Sequence, residues 1–307
     1  MTVPPSGEQI EIRHGDQVAT LVGVGGGIRT YTIGGRHVLD GYDVTEVCDG
    51  ARGQQLVPWP NRVKDGIWSF DGKERQLAIT EPEQHTAIHG LARWADWQVA
   101  GRDDASVTLA IRIHPQPGWD WTFDVATHYA LDDGGLRVRT EITNRGDSRA
   151  PAAAGAHPYL AVGTPTVDHL DLELPASEWL PTGNQQIPTG TEPVAGTDFD
   201  FRSRRRIGQL EIDNAFTGLS RDPDGRARVR LTAPDGRWDL LWVDEAFAWV
   251  EIFTGHGLPD PHRRRQGVGI EPMSAPPNAL ASGEGLTILE PGEACAGEWG
   301  IESSLLS

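Results

Sequence analysis

Apolar and polar residues alternate along much of the chain, and this pattern predicts β-strands. In the stretches 106–113 (SVTLAIRI) and 121–131 (WTFDVATHYAL), apolar residues recur at alternate positions, which places them on one face. A period of two is typical of half-buried strands. No stretch as long as an ordinary helix, about 12 residues, keeps the apolar stripe and the capping residues of a helix. We therefore predict a protein built almost entirely of strands.

Glycine-containing turns separate the alternating stretches and predict hairpins. LDDGGL (131–136) joins the second stretch to LRVRTEI (136–142), which alternates in the same way. Asp-Gly pairs recur at residues 71–72, 224–225 and 235–236. This dipeptide favours the tight turns of two-residue hairpins. We expect each of the three pairs to close two adjacent strands.

The composition agrees with a sheet protein. The chain has 37 Gly and 22 Pro in 307 residues, and both residue types are unfavourable inside helices. Many antiparallel strands most simply pack as two large sheets, so the predicted fold class is all-β, a large antiparallel β-sandwich. No linker or shift of composition divides the sequence, and we expect one domain over residues 1–307.

The net charge limits the partners that we expect. A formal charge of −17 at pH 7 disfavours nucleic acids and anionic membranes, because both attract positive surfaces. No segment approaches the roughly 18 consecutive apolar residues of a membrane helix, and the start MTVPPSGEQIEIR lacks the regions of a secretory signal. We expect a soluble, cytoplasmic protein that binds a small molecule. Cys48 and Cys295 are expected to be free thiols without a role.

Two basic clusters interrupt the acidic sequence. Arginines crowd into residues 202–206 and again into residues 263–265. Most clusters of this kind are solvated loops, but arginine also grips phosphate with two parallel hydrogen bonds. A phosphate clamp is therefore the alternative interpretation of these two segments.

Four segments combine proton-transfer side chains with a restricted backbone. They are LVPWPNRVKDG (56–66), HTAIHGLARW (85–94), GAHPYL (155–160) and GIEPMSAPPNALASGEG (269–285). Together they supply two imidazoles, a guanidinium and a carboxylate in constrained loops, groups suited to proton transfer on a polyhydroxylated ligand. In GAHPYL, the following proline excludes helical backbone for His157, which fits a pocket wall and also an ordinary loop. Spacing alone does not bring these groups together.

The order of several motifs resembles that of the aldose 1-epimerase family, the galactose mutarotases. These motifs are GQQLVPWPNRVKDGIWSFDG (53–72), AIHG (87–90), AHPYL (156–160), DFDFRSRRRIG (198–208), IDNAF (212–216), IEPMSAPPNAL (270–280) and LEPGE (289–293). Each motif is short, but their shared order is a strong signal. The resemblance implies a single-domain, galactose mutarotase-like β-supersandwich with a sugar cleft and with neither a cofactor nor a metal.

Matched position by position, the resemblance implies a set of acid and base residues. Glu271 resembles the family's general base, which takes the proton of the anomeric hydroxyl. His157 resembles the general acid, which protonates the ring oxygen. His89 resembles the second histidine, which orients the sugar or assists at the ring oxygen. The implied reaction interconverts the α and β anomers of a free hexose such as galactose or glucose.

The remaining matches concern binding of the sugar. Arg62, and Asp213 in IDNAF, resemble residues that hydrogen-bond the sugar hydroxyls, and Asn61 resembles a residue that assists them. The residue types also allow plainer interpretations. Arg62 and Asp213 fit a structural ion pair, and His89 fits a loop histidine with satisfied hydrogen bonds.

One departure from the family pattern concerns the substrate. The common His-Gly-Gly is replaced by His-Gly-Leu-Ala-Arg at residues 89–93, a form similar to that of the related hexose-6-phosphate 1-epimerases. PWPNR (58–62) resembles the free-sugar branch instead. A free aldose is favoured, and a hexose 6-phosphate is the alternative.

Two further alternatives give the same residues other roles. A non-catalytic carbohydrate-binding or sensing protein would keep the sandwich and the cleft, but it has no use for an acid and a base. A two-histidine, one-carboxylate metal site would use His89, His157 and Glu271. These residues contain no His-x-His or His-x-x-x-His pair to anchor a metal. We therefore predict no metal.

Overall fold

Strands dominate the structure, as the alternating sequence predicts. The computed structural model describes residues 3–306. Within that range the only α-helix is the single turn Ala279–Ser282, and 3-10 turns lie at Val167–His169, Asn184–Gln186 and Pro261–Arg263. A helix of the length and apolar character needed to cross a membrane is absent from the same range. The predicted all-β fold class is confirmed.

The larger sheet contains nine strands among the described residues, and the three strands predicted from alternation lie side by side in it. Its neighbouring strands are antiparallel throughout. In spatial order the strands are Gln98–Arg102, Ser106–Ile113, Phe123–Asp132, Gly135–Asn144, Ala294–Ser303, Trp238–Val243, Ala227–Thr232, Asp171–Glu173 and Arg205–Arg206.

The second large sheet carries the candidate site. In the part of the chain that the structure describes, a path of seven strands runs through it, and an eighth, Tyr159–Leu160, pairs with Val268–Met273. In spatial order the seven are Glu192–Pro193, Ala176–Trp179, Asp213–Leu219, Trp249–Phe253, Val268–Met273, Gly155–Ala156 and Gln55–Leu56.

Smaller sheets complete the structure. The N-terminal one is formed by Gln9–His14, Gln17–Val22, Ile28–Ile33 and Arg36–His37. Strand pairs are formed by Arg62–Lys64 with Thr86–Ile88, by Ile67–Phe70 with Lys73–Gln76, and by Ala150–Ala152 with Thr287–Leu289.

Three of the four predicted hairpins are confirmed. The LDDGGL turn leaves Asp132 opposite Gly135. The Asp-Gly pair at 71–72 lies between the paired strands Ile67–Phe70 and Lys73–Gln76. The pair at 235–236 joins two strands of the nine-stranded sheet.

The prediction of a hairpin at Asp224-Gly225 is wrong. The turn itself forms, because the N–H of Gly225 donates to the carbonyl of Asp222 at 2.9 Å. However, it connects Asp213–Leu219 in the eight-stranded sheet to Ala227–Thr232 in the nine-stranded sheet. A turn dipeptide favours a local chain reversal, but it does not decide which sheet the next strand joins.

The pleat of the eight-stranded sheet sets the position of the candidate site. Val250, Ile252 and Ile270 are fully buried and belong to the hydrophobic cluster that also contains core residues of the nine-stranded sheet. Successive side chains of a strand point to opposite faces. Glu251 and Glu271 alternate with these apolar residues, so they lie on the other face of the sheet.

Candidate active site

All six predicted site residues line the same cleft, called here the site cleft. Its volume is about 320 Å³, and it opens on the face of the eight-stranded sheet that carries Glu271. Strand pairing and the loops around the sheet bring together segments that lie far apart in the sequence. The six residues are Asn61, Arg62, His89, His157, Asp213 and Glu271.

Glu271 lies within a strand, whereas the sequence placed it in a constrained loop, and that expectation is wrong. The strand Val268–Met273 pairs with Trp249–Phe253 on one side and with Gly155–Ala156 on the other. Only 2% of Glu271 is exposed. The pleat explains its direction, because the preceding Ile270 points into the core. A strand in the interior of a sheet holds a functional group more rigidly than a loop does.

Glu271 contacts His157 directly. Oε1 of Glu271 lies 3.1 Å from Nε2 of His157, which is hydrogen-bond distance. Burial raises the pKa of Glu271, the Asp213 carboxylate raises it further, and the Arg62 guanidinium opposes them. Burial lowers the pKa of His157 to about 3, with a further contribution from Arg93. Both shifts disfavour a net charge in the buried site, so they favour a pair that shares one proton and has zero net charge, whichever atom carries that proton.

Backbone hydrogen bonds and a stacked ring fix the position of His157. It lies between two short strands, one ending at Ala156 and the other beginning at Tyr159. Its N–H donates to the carbonyl of Gln54 at 3.1 Å, and its carbonyl accepts the N–H of Gly53 at 2.9 Å. The imidazole stacks on the Tyr159 ring, with centroids 4.9 Å and planes 11° apart. The ring is therefore held in place before any ligand binds.

His89 presents a hydrogen-bond donor to the site cleft. Its Nδ1 accepts the backbone N–H of Asn61 at 3.2 Å, so the proton of the neutral ring lies on Nε2. Burial lowers the pKa of His89 well below its ordinary value, and the charges of His157 and Arg93 lower it further. The rings of His89 and His157 meet edge to face, with centroids 5.3 Å apart. Backbone contacts satisfy Nδ1, whereas Nε2 makes no hydrogen bond with residues 3–306.

Glycine is required directly after His89. Gly90 has a φ of +73°, and a Cβ at this position would lie 2.0 Å from the carbonyl oxygen of Val57. His89 itself has a φ of 63°, in the left-handed region. The His-Gly pair of the family motif therefore has a steric cause in this chain.

Arg62 pairs with Glu81, and the alternative of an Arg62–Asp213 ion pair is wrong. Nε and Nη2 of Arg62 lie 2.8 and 2.9 Å from the two carboxylate oxygens of Glu81. Glu81 also accepts the hydroxyl of Thr86 at 2.6 Å. Burial raises the pKa of Asp213, and the positive charge of Arg62 opposes this rise without cancelling it. No local sequence pattern points to Glu81, because its distance from Arg62 in space depends on the pairing of two short strands, Arg62–Lys64 and Thr86–Ile88.

Asn61 contacts a further carboxyl group, Glu251, which the sequence analysis missed. Nδ2 of Asn61 lies 3.4 Å from Oε2 of Glu251. Glu251 is 3% exposed and stands opposite Glu271 in the neighbouring strand. Burial raises the pKa of Glu251, and the carboxylates of Asp213 and Glu271 raise it further. The available signal was a glutamate within the apolar stretch 249–253 (WVEIF), which by itself does not indicate a cleft.

Neither basic cluster lines the site cleft. In the first cluster Arg206 pairs with Asp171 at 2.6 Å, and in the second Arg265 pairs with Asp168 at 2.5 Å. Each of these two arginines is paired with a carboxylate. The structure therefore gives no support to a phosphate clamp at these two segments.

His89, His157 and Glu271 also have a geometry that a metal ion fits. One ligand atom from each residue lies within 4.8 Å of the other two. The absence of a His-x-His or His-x-x-x-His pair does not exclude a metal here, because the fold, and not sequence spacing, brings these three residues together. The 3.1 Å contact between His157 and Glu271 occupies one ligand atom of each. That the site needs no metal stays a prediction, which chelation tests.

An antiparallel β-sandwich with a buried carboxyl–imidazole pair in a polar cleft defines a protein suited to acid–base chemistry on a small ligand. The family model described as aldose 1-epimerase matches residues 8–301. The chain belongs to the aldose 1-epimerase family, and the resemblance carried by the ordered motifs is confirmed.

Relatives of this chain match it over most of its length. The uncharacterized protein YihR of Escherichia coli is 32% identical, over 94% of this chain and 91% of YihR. The aldose 1-epimerase of Escherichia coli is 25% identical, over 78% of this chain and 76% of the relative. A solved galactose mutarotase-like protein of Clostridium acetobutylicum has a TM-score of 0.85 and 17% identity, over 99% of this chain and 97% of that chain. This likeness confirms the galactose mutarotase-like sandwich.

Proposed function

We propose that the protein is an enzyme, an isomerase that interconverts the α and β anomers of an aldose. The observation that carries the proposal is the 3.1 Å contact between Glu271 and His157 in a cleft that also holds His89. Membership of the aldose 1-epimerase family supports it. Free hexoses such as galactose and glucose are the first substrates to test, because the reaction involves only C1, O1 and O5 of the sugar.

Ring opening requires one proton to leave O1 and one proton to reach O5. Glu271 takes the proton of O1 while His157 gives the proton on its Nε2 to O5. The C1–O5 bond breaks, and C1 and O1 become the carbonyl of the open-chain aldehyde. Because O1 and O5 are bonded to the same carbon, two groups 3.1 Å apart are suitably spaced to reach both. The pair holds one proton before and after this step.

Rotation about the C1–C2 bond turns the other face of the aldehyde toward O5. In ring closure His157 removes the proton of the O5 hydroxyl as O5 attacks C1, and Glu271 returns a proton to O1. The product is the opposite anomer, and the shared proton is again on His157. Atoms and electrons balance without a second substrate.

Burial tunes both groups for this exchange. It raises the pKa of Glu271, which makes the carboxylate a stronger base than one in water. It lowers the pKa of His157, which makes the protonated imidazole a stronger acid. Both shifts favour ring opening from the form in which Glu271 is ionised and His157 is protonated. The same shifts favour the proton on Glu271 at rest, so that form is reached when the proton crosses the 3.1 Å contact to His157.

The other residues of the cleft hold the sugar in this proposal. His89 donates its Nε2–H to the ring oxygen or to a neighbouring hydroxyl. Arg62, held in place by Glu81, and Asp213 hydrogen-bond the ring hydroxyls. Asn61 assists through its side-chain amide.

Polarimetry of freshly dissolved α-D-glucose and α-D-galactose tests the proposal. The protein should speed the approach to anomeric equilibrium without changing the final rotation, and treatment with EDTA should have no effect. A folded protein that accelerates no aldose would contradict the proposal. Activity that chelation removes and added metal restores would support the metal alternative. Saturable sugar binding without acceleration would support the carbohydrate-binding alternative.

A further inference from the structure

The His157 imidazole lacks the hydrogen bond that usually orients a functional histidine. Its Nε2 lies 3.1 Å from Glu271, whereas its Nδ1 is buried and makes no hydrogen bond within residues 3–306. In His89, by contrast, Nδ1 accepts the backbone N–H of Asn61. The second ring nitrogen ordinarily holds a histidine in place through such a bond. The orientation of the His157 ring therefore depends on the groups that pack against it.

Tyr159 packs against the His157 ring, and Arg52 packs against Tyr159. The rings of His157 and Tyr159 are nearly parallel, with planes 11° apart and centroids 4.9 Å apart. The guanidinium carbon of Arg52 lies 4.5 Å from the centroid of the same Tyr159 ring. This distance is typical of a cation–π contact. Tyr159 therefore connects the guanidinium to the imidazole through direct packing.

Two carboxylates hold the Arg52 guanidinium in place. Nη1 of Arg52 lies 2.5 Å from Oδ2 of Asp40, and Nε lies 2.8 Å from Oδ1 of Asp49. Asp40 also accepts Nη2 of Arg263 at 2.9 Å. Only 2% of Arg52 is exposed. A buried guanidinium held by two carboxylates has little freedom to move, so it presents a fixed surface to the Tyr159 ring.

The residues beside Arg52 also hold the backbone around His157. The N–H of Gly53 donates to the carbonyl of His157 at 2.9 Å, and the carbonyl of Gln54 accepts the N–H of His157 at 3.1 Å. The hydroxyl of Tyr159 donates to the carbonyl of Gly50 at 2.9 Å. One short segment, residues 50–54, therefore contacts both the backbone of His157 and the ring that packs on its imidazole.

We propose that Arg52 is a positioning residue for the acid: by packing on Tyr159, it keeps the His157 imidazole oriented with Nε2 toward Glu271. This inference rests on the proposed function. Arg52 does not line the site cleft, so it acts through Tyr159 and not on the sugar. Because proton transfer depends on alignment, a displacement of about 1 Å at the acid can cost roughly 100-fold in rate.

A purely structural role for Arg52 would have a different consequence. Its ion pairs with Asp40 and Asp49 would then only tie loops together. Weakening them would lower the melting temperature, but the protein that remains folded would keep its kcat. The two roles are therefore separated by kcat of the folded protein and by the orientation of the His157 ring.

Arg52→Lys is the main test. Lysine keeps a cation for Asp40 but has no flat face to pack on the Tyr159 ring. We expect kcat for anomerisation of glucose or galactose to fall by roughly 10- to 100-fold. KM should stay within about threefold of wild type, because Arg62 and Asp213, which bind the hydroxyls in the proposed function, are unchanged.

The matched control is the same change at another buried ion pair. Arg36 pairs with the fully buried Asp239 at 2.6 Å and does not line the site cleft. Arg36→Lys should lower the melting temperature but leave kcat at the wild-type value. The comparison with Arg52→Lys therefore removes the general effect of weakening a buried ion pair.

NMR spectroscopy of the free protein measures the packing without turnover. The ring current of Tyr159 shifts the resonances of the His157 ring protons upfield while the two rings are stacked. Arg52→Lys should reduce this shift, and Arg36→Lys should leave it unchanged. If the wild type epimerises no aldose, a reduced shift in Arg52→Lys would still support the positioning role while the proposed function fails.

Two results would overturn the inference. One is a folded Arg52→Lys protein with normal kcat, and the other is an Arg52→Lys protein with unchanged His157 resonances. Should Arg52→Lys not fold, Asp49→Asn replaces it, because this change weakens the hold on Nε of Arg52 and leaves the pair with Asp40 intact. Asp49→Asn should lower kcat and reduce the upfield shift, and failure of either effect contradicts the inference.

Discussion

Glu251 stands directly opposite Glu271 in the neighbouring strand, so two buried carboxyl groups lie on one face of the sheet. Residues opposite each other in an antiparallel pair are close neighbours. Burial raises the pKa of Glu251, and the carboxylates of Asp213 and Glu271 raise it further, because neighbouring carboxylates repel each other in a buried site. In the proposed mechanism Glu271 is the ionised base, and Glu251 is the carboxyl group that keeps its proton.

Substituting the two glutamates by glutamine should give opposite results. Glu271→Gln removes the proton acceptor, and kcat should fall by roughly 10²- to 10⁴-fold. Its melting temperature should not decrease, because the raised pKa of Glu271 means that its ionisation above about pH 4.5 opposes folding. Glu251→Gln resembles the protonated form and keeps an oxygen for the Asn61 amide, so kcat should stay within about fivefold of wild type.

Steady-state kinetics and thermal melts on both variants check this pair of predictions. A Glu271→Gln protein with near-normal kcat would contradict the base role. A Glu271→Gln protein with a lower melting temperature and normal kcat in the folded fraction would show a structural role instead. A loss in Glu251→Gln as large as that in Glu271→Gln would mean that Glu251 is needed in its ionised form.

The strands were predictable from the sequence to the extent that alternation is a local property. The stretches 106–113 and 121–131 alternate because one face packs on the core, and both became strands within a few residues of the expected bounds. The sheet that a strand joins is not determined by its local sequence. The turn at Asp224-Gly225 formed, but packing of distant strands decided that the chain would change sheets there.

The site was predictable in its residue types but not in its contacts. Ordered motifs pointed to Glu271 and His157, and both line the site cleft. Glu251 and Arg93 were missed as site residues because their importance comes from what lies next to them. Glu251 contacts Asn61 across 190 positions of sequence, and no local pattern encodes such a contact.

The second prediction concerns the coupling of acid and base. His157→Asn should lower kcat by an amount similar to Glu271→Gln, since ring opening needs both transfers. The double variant should lose much less than the product of the two single losses, because residues that act as a unit are not additive. A double-mutant cycle on kcat measures this. Fully multiplicative losses would mean that the two residues, 3.1 Å apart, act in independent steps.

The third prediction concerns the pH dependence of kcat/KM. Burial lowers the pKa of His157 to about 3, so the pair gains a second proton only in strong acid. A solvated histidine would gain a proton at about pH 6.5. The rate should therefore stay level from about pH 7 down to about pH 5.5, where a solvated histidine would begin to titrate. Arg93→Gln should move the acid limb to higher pH, because loss of a positive charge favours the imidazolium.

A pH–rate profile of the wild type and of Arg93→Gln, with Arg205→Gln as the control, checks the third prediction. The melting temperature at each pH separates loss of catalysis from loss of fold. A fall in kcat/KM centred at about pH 6.5 in the wild type would show that His157 titrates as a solvated residue.

The fourth prediction concerns the steric role of the glycine after His89. Gly90 and Gly72 have the same φ of +73°, but a Cβ at Gly90 would lie 2.0 Å from the carbonyl oxygen of Val57, whereas nothing lies within 4 Å of one at Gly72. Gly72→Ala should therefore cost only the left-handed strain, about 1–2 kcal/mol. Gly90→Ala adds a clash with backbone and should lower the free energy of unfolding by at least about 2 kcal/mol more.

Chemical denaturation of the two glycine variants separates conformational strain from crowding, because the backbone angle is matched between them. The displaced backbone at Gly90 should also carry His89 away from His157, so kcat of the folded Gly90→Ala protein should fall while Gly72→Ala keeps wild-type turnover. Equal destabilisation of both variants would mean that the φ angle alone is responsible. Normal kcat in Gly90→Ala would mean that catalysis tolerates a shifted His89, and its role would then be limited to the wall of the cleft.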